Sequence, residues 1–210
     1  MKKSLSLILA LGLLVPSLSL TTAQGEQSAT QPATAPAAPA DSAGSYIIDP
    51  THSSVLFSVS HLGYSQTTGR FNKLSGSIEW NPTEPEKTSL NLTIKTASVD
   101  SNLPDRDAHL RNPDYFNADV FPEITYKTTS VKKIDDDTYE FTGDVTLLGV
   151  TKPLTTQVDF IGAGTDPWGG YRVGGTTRFT IKRSDFGMSY GAPAVGDEVS
   201  LVVDIEGIRQ

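Results

Sequence analysis

The chain contains no cysteine among its 210 residues. That absence removes disulfides, thiol nucleophiles and thiolate metal sites together, so packing and sheet closure alone must hold the fold. Basic residues are the minority, 17 Lys and Arg against 24 Asp and Glu, for a net charge of −7. Such a surface repels phosphate backbones and argues against nucleic acid as a partner. No Gly-x-Ser-x-Gly elbow, phosphate loop or dinucleotide fingerprint occurs, so the chain carries no enzyme signature. Histidine is scarce: His52, His61 and His109, taken with Asp49, Asp105 and Asp107, form no compact ligand motif. Neither a metal site nor a cofactor is expected.

Long apolar runs are also missing, apart from Leu5 to Leu14, which follows Lys2 and Lys3 and leads to small residues near Thr21-Thr-Ala-Gln24. This is the layout of a secretory signal peptide over residues 1–23, with cleavage after Ala23. The run is too short, and broken too soon by Pro16, to span a membrane, so stable membrane insertion is not expected. Residues 24–44 are Ala, Pro, Gln, Ser and Thr with almost no large apolar side chains, and read as a disordered tether. Residues 45–210 remain as one domain, long enough for a real core.

What that domain has is alternation. Val55, Phe57, Val59 and His61 share one face by the two-residue period, as a half-buried strand requires. Gln66 to Trp80 continues as a long strand interrupted by Gly69 and Gly76, where it should bend. Leu90, Leu92 and Ile94 mark another. Ile124 to Thr128 and Tyr139 to Leu147, separated by Asp135-Asp-Asp137, predict an antiparallel hairpin. Leu154 to Phe160, Tyr171 to Arg183 and Val199 to Ile205 complete the series.

One stretch interrupts it, from Arg106 to Tyr126. Asn102 as a cap, Pro104 in a first turn, Asp105 and Asp107 near the positive end and Pro113 as a stop predict a short helix. Tyr115, Phe116 and Phe121 are then expected to crowd together as a lid or a plug. The reading is all-β: an extended, lipocalin-like, eight-stranded antiparallel barrel with one short helical excursion. Its inner face would be Phe57, Val59, Phe71, Tyr126, Phe141, Val145, Phe179 and Ile181, a lining suited to a hydrocarbon. Alternatively, those side chains fill the interior themselves.

Ser58-Val-Ser-His-Leu62, Gly69-Arg-Phe71, Arg106-Asp-Ala-His-Leu110, Tyr115-Phe116, Phe121-Pro-Glu-Ile-Thr-Tyr126, Gly143 to Pro153 and Lys182-Arg-Ser-Asp-Phe-Gly187 occur in that order. The ordered set, from Tyr46 to Ile208, resembles the YceI-like family. The resemblance implies a periplasmic, lipocalin-like barrel whose pore takes a polyisoprenoid or other long amphiphilic chain, in a binding protein and not an enzyme. Arg106, Phe116, Phe121 and Phe186 lie in those motifs and join the candidate ligand-binding residues, with Phe116 as part of a gate. Tyr115 stands where the family often has a second phenylalanine.

His61, on the apolar face, is a candidate head-group partner or a histidine bonded to nearby backbone. Arg70, Arg106, Arg111 and Arg183 would suit a prenyl diphosphate if gathered at one rim, but Arg106 with Asp107, and Arg183 with Asp185, would equally form ion pairs that pin loops. The expected function is a periplasmic carrier of a polyprenyl quinone, prenyl phosphate, fatty acid or fatty amide, with a homodimer left open. The alternatives are a ligand-free stress or interaction barrel and, further off, a lipid-modifying enzyme.

Overall fold

The computed structural model describes residues 37–210; the signal-peptide segment and the first part of the tether lie outside the described residues. Eleven strands form one antiparallel sheet: β1 (Gly44–Ile48), β2 (Ser54–His61), β3 (Ser65–Phe71), β4 (Leu74–Trp80), β5 (Ser89–Lys95), β6 (Val99–Asp100), β7 (Glu123–Lys133), β8 (Thr138–Leu147), β9 (Val150–Thr165), β10 (Tyr171–Lys182) and β11 (Val195–Arg209). Their order is β1-β4-β5-β7-β8-β9-β10-β11, and β11 pairs back onto β1. That ring is a closed eight-stranded barrel.

Of the three remaining strands, β2 and β3 lengthen two of its staves. β2 follows β1 along the same partner, with Tyr46 opposite Arg209 and Val55 opposite Val203 on β11. β3 runs into β4 through Asn72 and Lys73, and pairs with β2 as β4 pairs with β1. The wall is continuous at the β1/β4 end. At the other end the outer edge of β3 meets only the two residues of β6, not β5. There residues 101–122, carrying the helix α1 (Pro104–Arg111), connect β6 to β7.

α1 begins as composition suggests at Pro104, but Asn102 is not its cap. Leu103 holds that position without a side-chain hydrogen bond, and Asn102 adopts a left-handed φ of 63°. None of the eight helical residues is fully buried, so its place is set by the chain on either side more than by an apolar stripe.

The two ends of the barrel differ. At the β1/β4 end, Trp80 stacks on Phe160 at 5.7 Å and meets Tyr139 edge-on at 4.9 Å, which with Tyr46 and Val131 makes a solid plug. Ser42, assigned to the tether by composition, is instead fully buried, in the 3-10 turn Ala40–Ser42. Its Oγ accepts from Trp80 Nε1 at 3.0 Å and its carbonyl from the Tyr46 hydroxyl at 2.5 Å. The ordered fold therefore begins before residue 45. Among the described residues no helix is long and apolar enough to cross a membrane.

Candidate functional site

The half of the barrel beyond the plug is hollow. A cavity of about 760 Å³ runs from the middle of the barrel toward the α1 end, within the range of sites that enclose small molecules. Phe57 and Val59 of β2, Phe71 of β3, Tyr126 of β7, Phe141 and Val145 of β8, and Phe179 and Ile181 of β10 all line it. So do His61, at the end of β2, and Arg106 and Phe116 from the α1 segment. Phe121 and Phe186 do not. Phe121 packs over Gly149, and Phe186 is buried in the 3-10 turn Arg183–Phe186.

The period-two alternation explains the wall. Each strand presents every second side chain inward, and the same rule adds residues beyond the inner face expected from the sequence: Leu90, Leu92 and Ile94 of β5, Val158 of β9, and Val199, Leu201 and Val203 of β11. Bulky rings need space to lie against the sheet. A β-carbon on Gly69, opposite Phe57 on β3, would stand 2.3 Å from Phe57 Cζ; glycine there lets the ring occupy that space.

The three aromatics after α1 separate instead of crowding together. Phe116 meets Phe71 edge-on at 5.4 Å, and Phe71 meets Phe57 at 5.8 Å, so one aromatic row joins β2, β3 and the α1 segment. Tyr115 instead packs with His109 at 5.1 Å and with Tyr190, from the loop between β10 and β11, at 5.3 Å. His109 also contacts Tyr190 at 5.4 Å and shares a 2.9 Å hydrogen bond with Asp114. Burial pushes the Tyr115 phenol above its ordinary pKa. These contacts tie α1 to the opposite loop across the cavity end.

Arg183 and Arg106 form no ion pair with Asp185 or Asp107. Arg183 is buried, and its Nε, Nη1 and Nη2 donate to the carbonyls of Gly196, Met188, Tyr190 and Val195 at 2.7–3.1 Å. It pins the β10–β11 loop through backbone. Arg106 donates to the Oγ and carbonyl of Ser101. Both line the cavity.

Away from the cavity, Asp49, His52 and Glu206 approach closely enough to share an ion. Arg172 takes up those carboxylates: it donates to Asp49 at 2.8 Å, to Asp166 at 2.7 Å and to Glu206. A guanidinium already holds the charge a cation would bring.

An all-antiparallel eight-stranded barrel with an apolar cavity is the frame that the ordered motifs implied; the solid β1/β4 end goes beyond it. The YceI-like domain model matches residues 46–207. The chain belongs to the YceI-like family. A UPF0312 protein of Azotobacter vinelandii is 42% identical over 170 residues, covering 80% of this chain and 88% of that one. The crystal structure of the Campylobacter jejuni YceI protein is 31% identical, with a TM-score of 0.66 over 72% of this chain and 90% of its own. A structure described as a polyisoprenoid binding domain from Saccharophagus degradans shares the fold, with a TM-score of 0.64 at 19% identity over 79% of this chain and 98% of its own.

Proposed function

We propose that this YceI-like protein is an exported carrier that takes one long-chain amphiphile, an isoprenoid or fatty chain, into the barrel and holds it in an aqueous compartment. The observation that carries the reading is the 760 Å³ cavity with apolar walls in a barrel whose other end is plugged. A self-filled barrel would leave no such space. Removing the chain from water supplies about 0.8 kcal/mol per buried methylene, so a long isoprenoid gains ample driving force while its head stays at the α1 end among His61, Gln66, Arg106 and His109. Phe116, closing on Phe71, forms the gate. The segment 1–23, with its charged start and apolar run, directs export to the periplasm and is removed.

Native mass spectrometry of protein purified from the periplasm without detergent tests the proposal. A reproducible added mass, released by solvent as a prenyl or fatty amphiphile, is the expected result. A clean apo mass, together with failure to take up added prenyl quinone or fatty acid, overturns it in favour of a ligand-free interaction barrel.

A further inference from the structure

The charges around the cavity narrow the chemistry of the head group. Acidic residues outnumber basic ones in the chain, 24 to 17, yet among the described residues no Asp or Glu lines the cavity, whereas Arg106 and Arg183 both do. Among the described residues no carboxylate oxygen lies within 4.0 Å of either guanidinium. The neighbouring acids Asp107 and Asp197 bond to serines instead of to the guanidiniums. Asp107 accepts the backbone N–H and hydroxyl of Ser101 at 2.7 and 2.5 Å, and Asp197 accepts those of Ser184 at 2.9 and 2.8 Å.

The two arginines differ in what they can still do. Arg183 is 3% exposed, and carbonyl oxygens satisfy four of its donors. Carbonyl dipoles solvate a cation but do not neutralise it, and Asp197 acts on the Arg183 charge only from beyond ion-pair distance, so the buried charge is partly compensated. Arg106 is half-buried and uses Nε and Nη2 on Ser101 alone. A guanidinium has five N–H donors, so three remain for a ligand. Ser101, itself buried and bonded to Asp107, fixes the fork in place.

We infer that the cavity selects amphiphiles with an anionic oxygen head, a carboxylate or a phosphate monoester, received by the free N–H groups of Arg106 and stabilised by the fixed positive charge of Arg183. This rests on the carrier reading. An alcohol or quinone head gains the same apolar burial and can accept one of those N–H groups, but it brings no negative charge to set against the two cations.

The test uses matched pairs on the full mature chain after solvent delipidation: palmitate against hexadecanol, and geranylgeranyl phosphate against geranylgeraniol, measured by displacement of a fluorescent fatty probe. The anionic member of at least one pair is expected to bind about tenfold tighter or more, the scale of a charge-assisted hydrogen bond. Which pair shows the difference distinguishes a fatty acid from a prenyl phosphate. Arg106→Gln should remove most of that advantage, weakening the anionic member at least about fivefold more than its matched alcohol, while Arg106→Lys, which keeps the charge but not the fork, retains part of it. Equal affinities within both pairs, or an Arg106→Gln loss shared equally by acid and alcohol, overturn the anionic-head inference and leave the carrier reading standing. If no member of either pair binds, both fall.

Discussion

Tyr126 on β7 lays its ring over Gly143 on β8, so closely that a β-carbon on Gly143 would stand 2.6 Å from Tyr126 Cζ and 2.6 Å from the carbonyl oxygen of Lys127. The ring lines the cavity and the carbonyl lies in the wall strand β7, so neither can yield freely. Gly143→Ala should cost about 2 kcal/mol and lower Tm by about 4–8 °C. Because the displaced ring borders the cavity, affinity for the bound chain should fall with it. Calorimetry showing an unchanged Tm would mean the wall is softer than this packing implies.

Burial pushes the Tyr126 phenol above its ordinary pKa, and the nearby Thr128 hydroxyl is already paired with the Leu90 N–H and carbonyl, so among the described residues the phenol hydroxyl makes no well-formed hydrogen bond. An unsatisfied buried hydroxyl is a cost carried by the folded state. Tyr126→Phe should therefore stabilise the ligand-free protein by about 1 kcal/mol, a Tm rise of about 2–4 °C. A fall in Tm would show that the hydroxyl is satisfied in solution.

How much of this was legible in the sequence depended on distance along the chain. The alternation of Phe57 with Val59, or of Phe179 with Ile181, is local, and it assigns one face correctly because a strand has only two. The same rule cannot tell plug from cavity. Tyr139 and Phe141 share the inner face of β8, yet one abuts Trp80 and the other borders open space; the difference is where each falls along the barrel axis. Arg183 looked like half of a local ion pair because its carbonyl partners, Gly196 and Val195 among them, offer no side-chain signal. Phe121 and Phe186 sit in family motifs but not on the cavity wall: Phe121 packs on Gly149, and Phe186 is buried in the 3-10 turn after β10.

Phe116 is held at the cavity end by its edge-on contact with Phe71. Such a pair is worth about 0.5–1.5 kcal/mol beyond area burial. If that contact is the gate, Phe116→Ala should accelerate ligand release by about three- to tenfold while leaving the wall intact. Stopped-flow release of a fluorescent fatty probe measures this directly, and an unchanged off-rate places the gate elsewhere.

Asp49 is held well below the usual carboxylate range, chiefly by its hydrogen bond with His52, then by Thr51, with Arg172 adding to both. A carboxyl whose folded pKa is depressed contributes stability that is complete above its unfolded value, about 4, and is lost as pH falls below it toward the folded value. Asp49→Asn should cost about 3 kcal/mol at pH 7 and about 1 kcal/mol less at pH 3, one pH unit into the window. Denaturant melts of wild type and variant should therefore converge on acidification. Curves that stay parallel from pH 7 to pH 3 would show that Asp49 does not carry the acid sensitivity.

The residues just before β1 offer a sharper test of where the fold begins. Ser42 satisfies the Trp80 indole and the Tyr46 hydroxyl, while the Asp41 and Ala43 carbonyls accept from Arg209 Nη2 on the last strand. A chain starting at Ala37 keeps all of these partners; one starting at Gly44 loses them and uncovers the plug. Two buried donors without protein partners, partly rescued by water, should cost about 2 kcal/mol. The two tryptophans report the change separately from unfolding, because Trp168 is exposed and Trp80 is buried. Emission from Trp80 should shift to the red in the Gly44 chain and stay unchanged in the Ala37 chain. If both chains melt together with the same emission, the segment before β1 is an appendage and the barrel closes without it.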